Sequence, residues 1–243
     1  MNKIMSMEDA MGRVHDGMKI LIGGFCGVGA PLKCIEKLVQ SGVKDLTIVS
    51  IVATYPGGHF DLAPLFENKQ VKKFIASHIG TSPEVVNAYK NGEIEVELYP
   101  QGSLVEMIRA GGAGLGGVLT RTGLGTLVEE GKDKIVVDGV EYLLEKPIHA
   151  DIALVKGYRG DSWGNIEYRY TMNTNPVMAT AADFTIAEVN EIVDVGMLDP
   201  QKVGTPAAFV SAVVQGASFE EQKHTYHDLW DRTGQLVKCG EAL

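Results

Sequence analysis

Asp16-Gly17-Met18-Lys19-Ile20-Leu21-Ile22-Gly23-Gly24-Phe25-Cys26-Gly27-Val28-Gly29-Ala30-Pro31 is the stretch on which the reading of this chain turns. Lys19–Ile22 is a short apolar run suited to a buried strand. Gly23, Gly24, Gly27 and Gly29 then remove side chains where the strand hands over to a helix. Pro31 suits the first turn of that helix, and Leu32, Ile35, Leu38 and Val39 fall at helical spacing before Gly42 stops it. Leu46–Val52 reads as the next strand. Strand, loop, helix and strand in this order predict a parallel sheet. A glycine loop at such a junction lets backbone N–H groups approach an anion or a flat acyl group, helped by the helix N-terminus. A tight turn with no ligand explains the same glycines equally well.

The alternation continues on both sides. Upstream, Ser6-x-x-Asp9 reads as a capping box opening a short helix. Downstream, Val71–Ala76 is a strand, and Ser82-Pro83 opens a helix that ends near Asn91-Gly92. Glu93–Tyr99 alternates charged and apolar residues and runs into Pro100-Gln101-Gly102. Ser103 is expected to cap a helix over Leu104–Arg109, with Gly111–Gly117 a second glycine-rich stretch. Lys134–Leu144 looks like a hairpin turning at Asp138-Gly139. Ile152–Lys156 and Ile166–Tyr170 are strands joined around Asp161–Asn165. A helix starts after Asn175-Pro176, and Phe184–Val189 is a late strand. The polar segment from Ser218 is expected to be a frayed helical tail with Trp230 its only large anchor. No repeat or low-complexity linker divides the chain. The expected organisation is one α/β domain over residues 1–217 and a tail over 218–243.

The chain has 243 residues, 45% of them hydrophobic, enough for one substantial core. Its net charge of −9 disfavours a nucleic-acid binder, which needs a basic stripe to displace counterions from phosphates. The three cysteines, Cys26, Cys34 and Cys239, match no metal template, and their odd count argues against a disulfide scaffold. A reducing compartment, the cytoplasm, is expected. The opening MNKIMSMEDAM holds no long apolar run for a signal peptide. No stretch approaches the ~18 uninterrupted apolar residues of a membrane span.

Several chemistries lack their residues. The first loop spaces its glycines in the reverse of the dinucleotide fingerprint. Gly112-Ala113-Gly114-Leu115-Gly116-Gly117 has the fingerprint spacing but follows a helix rather than a strand. Gly125 to Gly131-Lys132 is followed by Asp133 and is no P-loop. The six histidines are scattered, and no metal site is expected. Ser103 and Ser211 lack a nucleophile elbow. Cys26 in the loop reads as a small packing residue, although a helix N-terminus lowers a thiol pKa. Glu129-Glu130 reads as the solvated end of a helix.

Asp16–Pro31 resembles the first signature of the family I coenzyme A transferases: D-G, two free positions, three apolar residues, G-G-F, three free positions, G-x-P. Every fixed position is met. Val71–Ser77, Glu95–Arg109, Ala110–Gly114, Gly123–Lys132, Ala150–Gly157 and Asn175–Ala182 agree as well, so the resemblance covers about residues 3–215. It is nearest to the α subunits of the acetate/butyrate–acetoacetate type and to the N-terminal half of succinyl-CoA:3-oxoacid enzymes. It implies a mostly parallel α/β sheet flanked by helices, with the site at the strand C-terminal ends.

The resemblance also implies a reaction divided between two chains. In the family, a glutamate in a Ser-Glu-Asn-Gly motif of a β-type subunit attacks an acyl-CoA thioester and CoA passes through a glutamyl thioester. No Glu-Asn-Gly occurs in this chain, so it is expected to act only with a β-type partner, as two α and two β subunits. Coenzyme A is then a substrate and no cofactor is expected. The expected substrates are a short-chain acyl-CoA and an acid such as acetate, butyrate or acetoacetate. Gln101 matches the residue whose side-chain amide donates to the oxyanion. Gly23, Gly24, Phe25, Gly27 and Gly29 would form the acyl-pocket wall, Phe25 excluding water. Gly111, Gly112 and Gly114 would let backbone approach the same cleft.

Two departures stand out. Where the family often has Asn-Asn or Asn-Asp after the serine of the second strand, Ser50 is followed by Ile51-Val52, an apolar pair at the expected substrate cleft. The family's Ala-Arg-Asn-Phe-Asn becomes Thr171-Met172-Asn173-Thr174-Asn175. The missing glutamate equally suits a metabolite sensor on the same scaffold. A sugar-phosphate isomerase of related architecture is a further alternative, distinguished by acting alone.

Overall fold

The protein is described by a computed structural model covering residues 2–57 and 59–236; Cys239 lies outside the described residues. The first half alternates helix and strand: α1 (Met7–Met11), β1 (Lys19–Ile22), α2 (Leu32–Ser41), β2 (Leu46–Val49), α3 (Ala63–Glu67), β3 (Val71–Ala76), α4 (Pro83–Lys90), β4 (Glu95–Leu98) and α5 (Gln101–Gly112). An excursion of short strands follows, β5 (Val118–Thr120), β6 (Lys134–Val137) and β7 (Val140–Glu145). The chain returns through β8 (Ala150–Lys156), β9 (Arg159–Asp161), β10 (Ile166–Glu167), α6 (Asn175–Ala179), β11 (Ala182–Val189), β12 (Glu191–Val193), β13 (Val203–Thr205), β14 (Ala212–Gln215) and α7 (Phe219–Arg232).

Seven strands form one parallel sheet in the order β14-β11-β8-β1-β2-β3-β4. The chain builds outward from β1 to β4, then crosses to β8 and builds the other way. The order therefore reverses between β1 and β8, and a crevice at such a point, at the strand C-terminal ends, is where open α/β sheets bind ligands. A four-stranded sheet (β12-β9-β10-β13) and an antiparallel one (β5-β7-β6) flank it.

Both faces of the main sheet are buried, which is why its strands read as unbroken apolar runs. Ile20, Ile22, Ile152 and Leu154 point to one face, where Ile35 and Leu38 of α2 and Leu65 and Phe66 of α3 meet them. Leu21, Ala153 and Val155 point to the other, against Leu104 and Ile108 of α5 and Met178 of α6. No helix among the described residues is long and apolar enough to cross a membrane.

Five local expectations fail. β10 ends at Glu167, three residues before the expected Tyr170, where a bulge shifts its register against β13. β2 ends at Val49, three residues early, because Ser50 and Ser77 carry on the pairing as irregular backbone. Ser103 does not cap α5: the helix starts at Gln101 behind Pro100, and the Ser103 hydroxyl is buried without a partner. Glu129 closes a single 3-10 turn rather than an α-helix, accepting from the Gly125 N–H at 2.7 Å. The polar tail is not frayed. Ser218 and Glu221 form a reciprocal capping box, and α7 runs 14 residues with Tyr226 and Leu229 buried beneath it.

Candidate active site

The glycine loop leaves β1 at the reversal point. Phe25 and Val28 exchange two backbone hydrogen bonds of 3.0 Å, making a miniature hairpin with Cys26 and Gly27 at its turn. Both turn residues have positive φ, 48° and 78°, as a type I′ turn requires. Gly27 lies against the Phe60 ring, and a β-carbon there would come within 2.7 Å of it.

Side chains from distant segments hold the loop by its carbonyls. Asn173 Nδ2 donates to Val28 O (2.8 Å), Asn175 Nδ2 to Gly29 O (3.0 Å) and the Tyr226 hydroxyl to Gly27 O (2.6 Å). Asn175, 1% exposed, also accepts from the Lys156 N–H at 2.8 Å and so ties the loop to the end of β8. Among the described residues, the N–H groups of Gly24, Cys26 and Gly27 donate to no protein acceptor. Three of the loop's carbonyls are thus held by the scaffold, while three of its N–H groups are left without a protein acceptor among the described residues.

Beside it lie a buried lysine and a buried glutamate. Lys156 and Glu188 are register partners at the ends of β8 and β11. Glu188 Oε2 accepts from the N–H groups of Lys33 and Cys34, 2.9 Å each, and so caps α2, whose preceding Pro31 has no side-chain donor or acceptor. The Lys156 ammonium donates to Gly157 O (2.7 Å) and Asn190 Oδ1 (2.8 Å). Burial lowers the Lys156 pKa to about 8 against the pull of Glu188, and burial raises that of Glu188 against the pull of Lys156. Burial also pushes Asp61, below the hairpin, well up, while the bond from the Leu62 N–H opposes this. The Cys26 thiol is raised, first by burial and then by Asp61. A cleft of about 360 Å³ opens here, lined by Ala30, Phe60, Asp61, Lys156 and Glu188.

The residues expected at the site fall into three groups. Gly23, Gly24, Phe25, Gly27 and Gly29 are together in the loop, but Phe25 is 41% exposed and by itself excludes little water. Val52, 6% exposed, lines the hollow under Gly23–Gly27, whereas Ile51, 1% exposed, packs into the core below and is not presented to a ligand. Gln101 stands exposed at the start of α5, and its side chain makes no hydrogen bond among the described residues. It shares the C-terminal edge with the loop but sits three strand spacings away, ~14 Å. Gly111 and Gly112 are elsewhere. They form the last turn of α5 at the opposite edge of the sheet, where β-carbons would come within 2.6 Å of Ile148 C and 2.7 Å of Thr180 O; they are glycines for helix packing. Gly114, just beyond, meets nothing within 4 Å.

Asn173, Asn175, Lys156, Glu188 and Tyr226 were not singled out from the sequence. The two asparagines sat in a stretch read for the residues it lacks, although the retained amides are what the loop needs. Nothing local marks Tyr226, 199 residues from its acceptor. His59 lies near Glu67 (2.9 Å) and Glu84 (3.0 Å), a surface grouping the scattered histidines did not suggest.

A sequence profile described as coenzyme A transferase matches residues 4–216. The chain is 46% identical over 213 residues to the acetate CoA-transferase subunit alpha of Escherichia coli strain K12, covering 87% of this chain and 96% of that protein. It is 48% identical over 215 residues to the acetoacetyl-CoA:acetate/butyrate CoA transferase alpha subunit of Clostridium acetobutylicum, covering 88% and 98%. Among solved structures, an acyl-CoA transferase from Escherichia coli O157:H7 in a thioester complex with CoA superposes with a TM-score of 0.81 at 24% identity. That match covers 88% of this chain but 47% of the larger one, about half its length.

Proposed function

The chain belongs to the coenzyme A transferase family, and on that footing we propose that it is the α-type subunit of a transferase moving CoA between short-chain acids. The observation that carries this reading is the loop with bound carbonyls and free N–H groups at Gly24, Cys26 and Gly27. Such a loop stabilises an oxyanion without reorganising when charge develops, and each donor is worth on the order of 3 kcal/mol.

The partner's glutamate attacks the thioester carbonyl, and the C–S electron pair leaves with CoA thiolate, giving an acyl-glutamyl anhydride. Thiolate then attacks the glutamyl carbonyl and expels the first acid as its carboxylate. An acceptor carboxylate runs the same steps in reverse. Every step passes through an oxyanion. The loop donors serve an oxyanion at their end of the cleft, and the exposed Gln101 amide, whose side chain has no partner among the described residues, serves one formed at its own, about three strand spacings away. Val52 and Phe25 line the acyl side. Coenzyme A enters as a substrate, and no cofactor is invoked.

Names of relatives such as subunit alpha support a separate β-type chain, and two copies of each is the assembly we assign. The free thiols Cys26 and Cys34 suit a reducing compartment, and we assign the cytoplasm.

The deciding experiment is co-expression with a β-type chain carrying Ser-Glu-Asn-Gly, followed by CoA exchange against a panel of short acids. Exchange by the pair and none by either chain alone is the expected result. Exchange by this chain alone would refute the division of labour.

A further inference from the structure

The family match stops at residue 216, yet the chain goes on to build α7 and to lay it over the glycine loop. The helix is anchored at successive turns. The Phe219 ring meets Tyr158 edge-on at 5.7 Å. Gln222 Oε1 accepts from Asn190 Nδ2 at 2.6 Å, and Asn190 in turn receives the Lys156 ammonium. Tyr226 packs edge-on to Phe60 at 5.8 Å and donates its hydroxyl to Gly27 O.

We infer that α7 is a clamp for the glycine hairpin and that Tyr226 is a positioning residue for the transfer reaction. Tyr226 acts through the loop, by its bond to Gly27 O. It fixes the pitch of the turn whose Cys26 and Gly27 N–H groups are free, and donors aimed at a developing charge lose their value when the turn can rock. Tyrosine suits the task because a rigid ring with two rotatable bonds carries its donor from the helix to the carbonyl at small entropic cost. Burial raises the phenol pKa, which keeps the proton on the oxygen. The effect on turnover rests on the transferase reading above; the effect on the loop does not.

The test is Tyr226→Phe in the full chain paired with its β-type partner, with Asp231→Asn on the exposed side of α7 as control. Cys26 sits in the turn and reports on it directly. Its alkylation by iodoacetamide is followed by peptide mass, apart from Cys34 and Cys239. Loss of one hydrogen bond should speed Cys26 labelling about fivefold and lower kcat about five- to tenfold, with KM for acyl-CoA within about twofold. The control should change neither. An unchanged Cys26 rate overturns the clamp; faster labelling with unchanged kcat overturns its part in turnover. If the wild-type pair transfers no CoA, the transferase reading fails, and the labelling comparison alone decides whether Tyr226 holds the loop.

Discussion

The side-chain amide of Asn175 fills the space in which a β-carbon on Gly23 would sit: that carbon would overlap Asn175 Oδ1 and lie 2.7 Å from its Cγ. Asn175 has nowhere to go. Its oxygen holds the Lys156 N–H, and its nitrogen holds the carbonyls of Gly29 and Met172. Asn175 thus fills the space beside Gly23, between the ends of β1 and β8.

Gly23→Ala is therefore expected to cost about 2–3 kcal/mol through overpacking and to break the Asn175 bonds. The melting temperature should fall by about 5–10 °C. Thermal unfolding measures this, and a variant as stable as the wild type would show that Asn175 can move aside.

Gln101→Ala should behave in the opposite way. The side chain is exposed and has no partner among the described residues, so stability should stay within about 0.5 kcal/mol. Turnover of the assembled pair should drop by about 10²–10³ if its amide meets the oxyanion. Size-exclusion chromatography should find the complex intact. Unchanged turnover removes Gln101 from the reaction.

The buried pair at the ends of β8 and β11 should respond unequally to truncation. Glu188→Ala uncaps α2 by removing two charge-assisted hydrogen bonds and takes away the negative charge that favours the Lys156 ammonium, so about 2–3 kcal/mol is expected. Lys156→Met leaves a carboxylate that still holds two N–H groups and, with its raised pKa, can take up a proton. Its cost should be smaller by about 1–2 kcal/mol, the worth of the cap. Urea unfolding of the two variants gives the comparison; equal losses would mean that the cap contributes nothing.

Tyr168 provides a pH signature. Its hydroxyl meets Thr205 Oγ1 at 2.7 Å, and burial pushes the phenol up to about 12. An unfolded tyrosine ionises near about 10. Between these values the unfolded chain has released a proton that the folded chain keeps, so rising pH favours unfolding. The Tyr168 contribution is complete below about pH 10 and is lost on the way to about 12. Tyr168→Phe should be about 1 kcal/mol less stable than the wild type near neutrality, from the lost hydrogen bond. That gap should close as the solution is taken above about pH 10. A gap constant with pH would contradict the assignment.

What could be read in advance was local. Lys19–Ile22, Gly42 and Val71–Ala76 signal themselves through apolar runs and a stop residue, and Asp138-Gly139 turns a hairpin where expected. The glycine loop was visible because its glycines adjoin in sequence. What escaped depended on chain separation or on competing local signals. Ser103 looked like a cap, but Pro100 starts the helix earlier and leaves that hydroxyl inside. Gly111 and Gly112 looked like ligand glycines, yet what they accommodate is the backbone of Ile148 and Thr180, invisible from their neighbours. The polar composition of the tail suggested a frayed helix and concealed the one strongly committed residue on it, Tyr226.

The span between Gly27 and Tyr226 has a consequence for biosynthesis. A ribosome making this polypeptide releases the hairpin early and its last fastening 199 residues later. A nascent subunit with its sheet already assembled still lacks that fastening. A translation product stopped just after β14 would carry the hairpin without the phenol that fixes it.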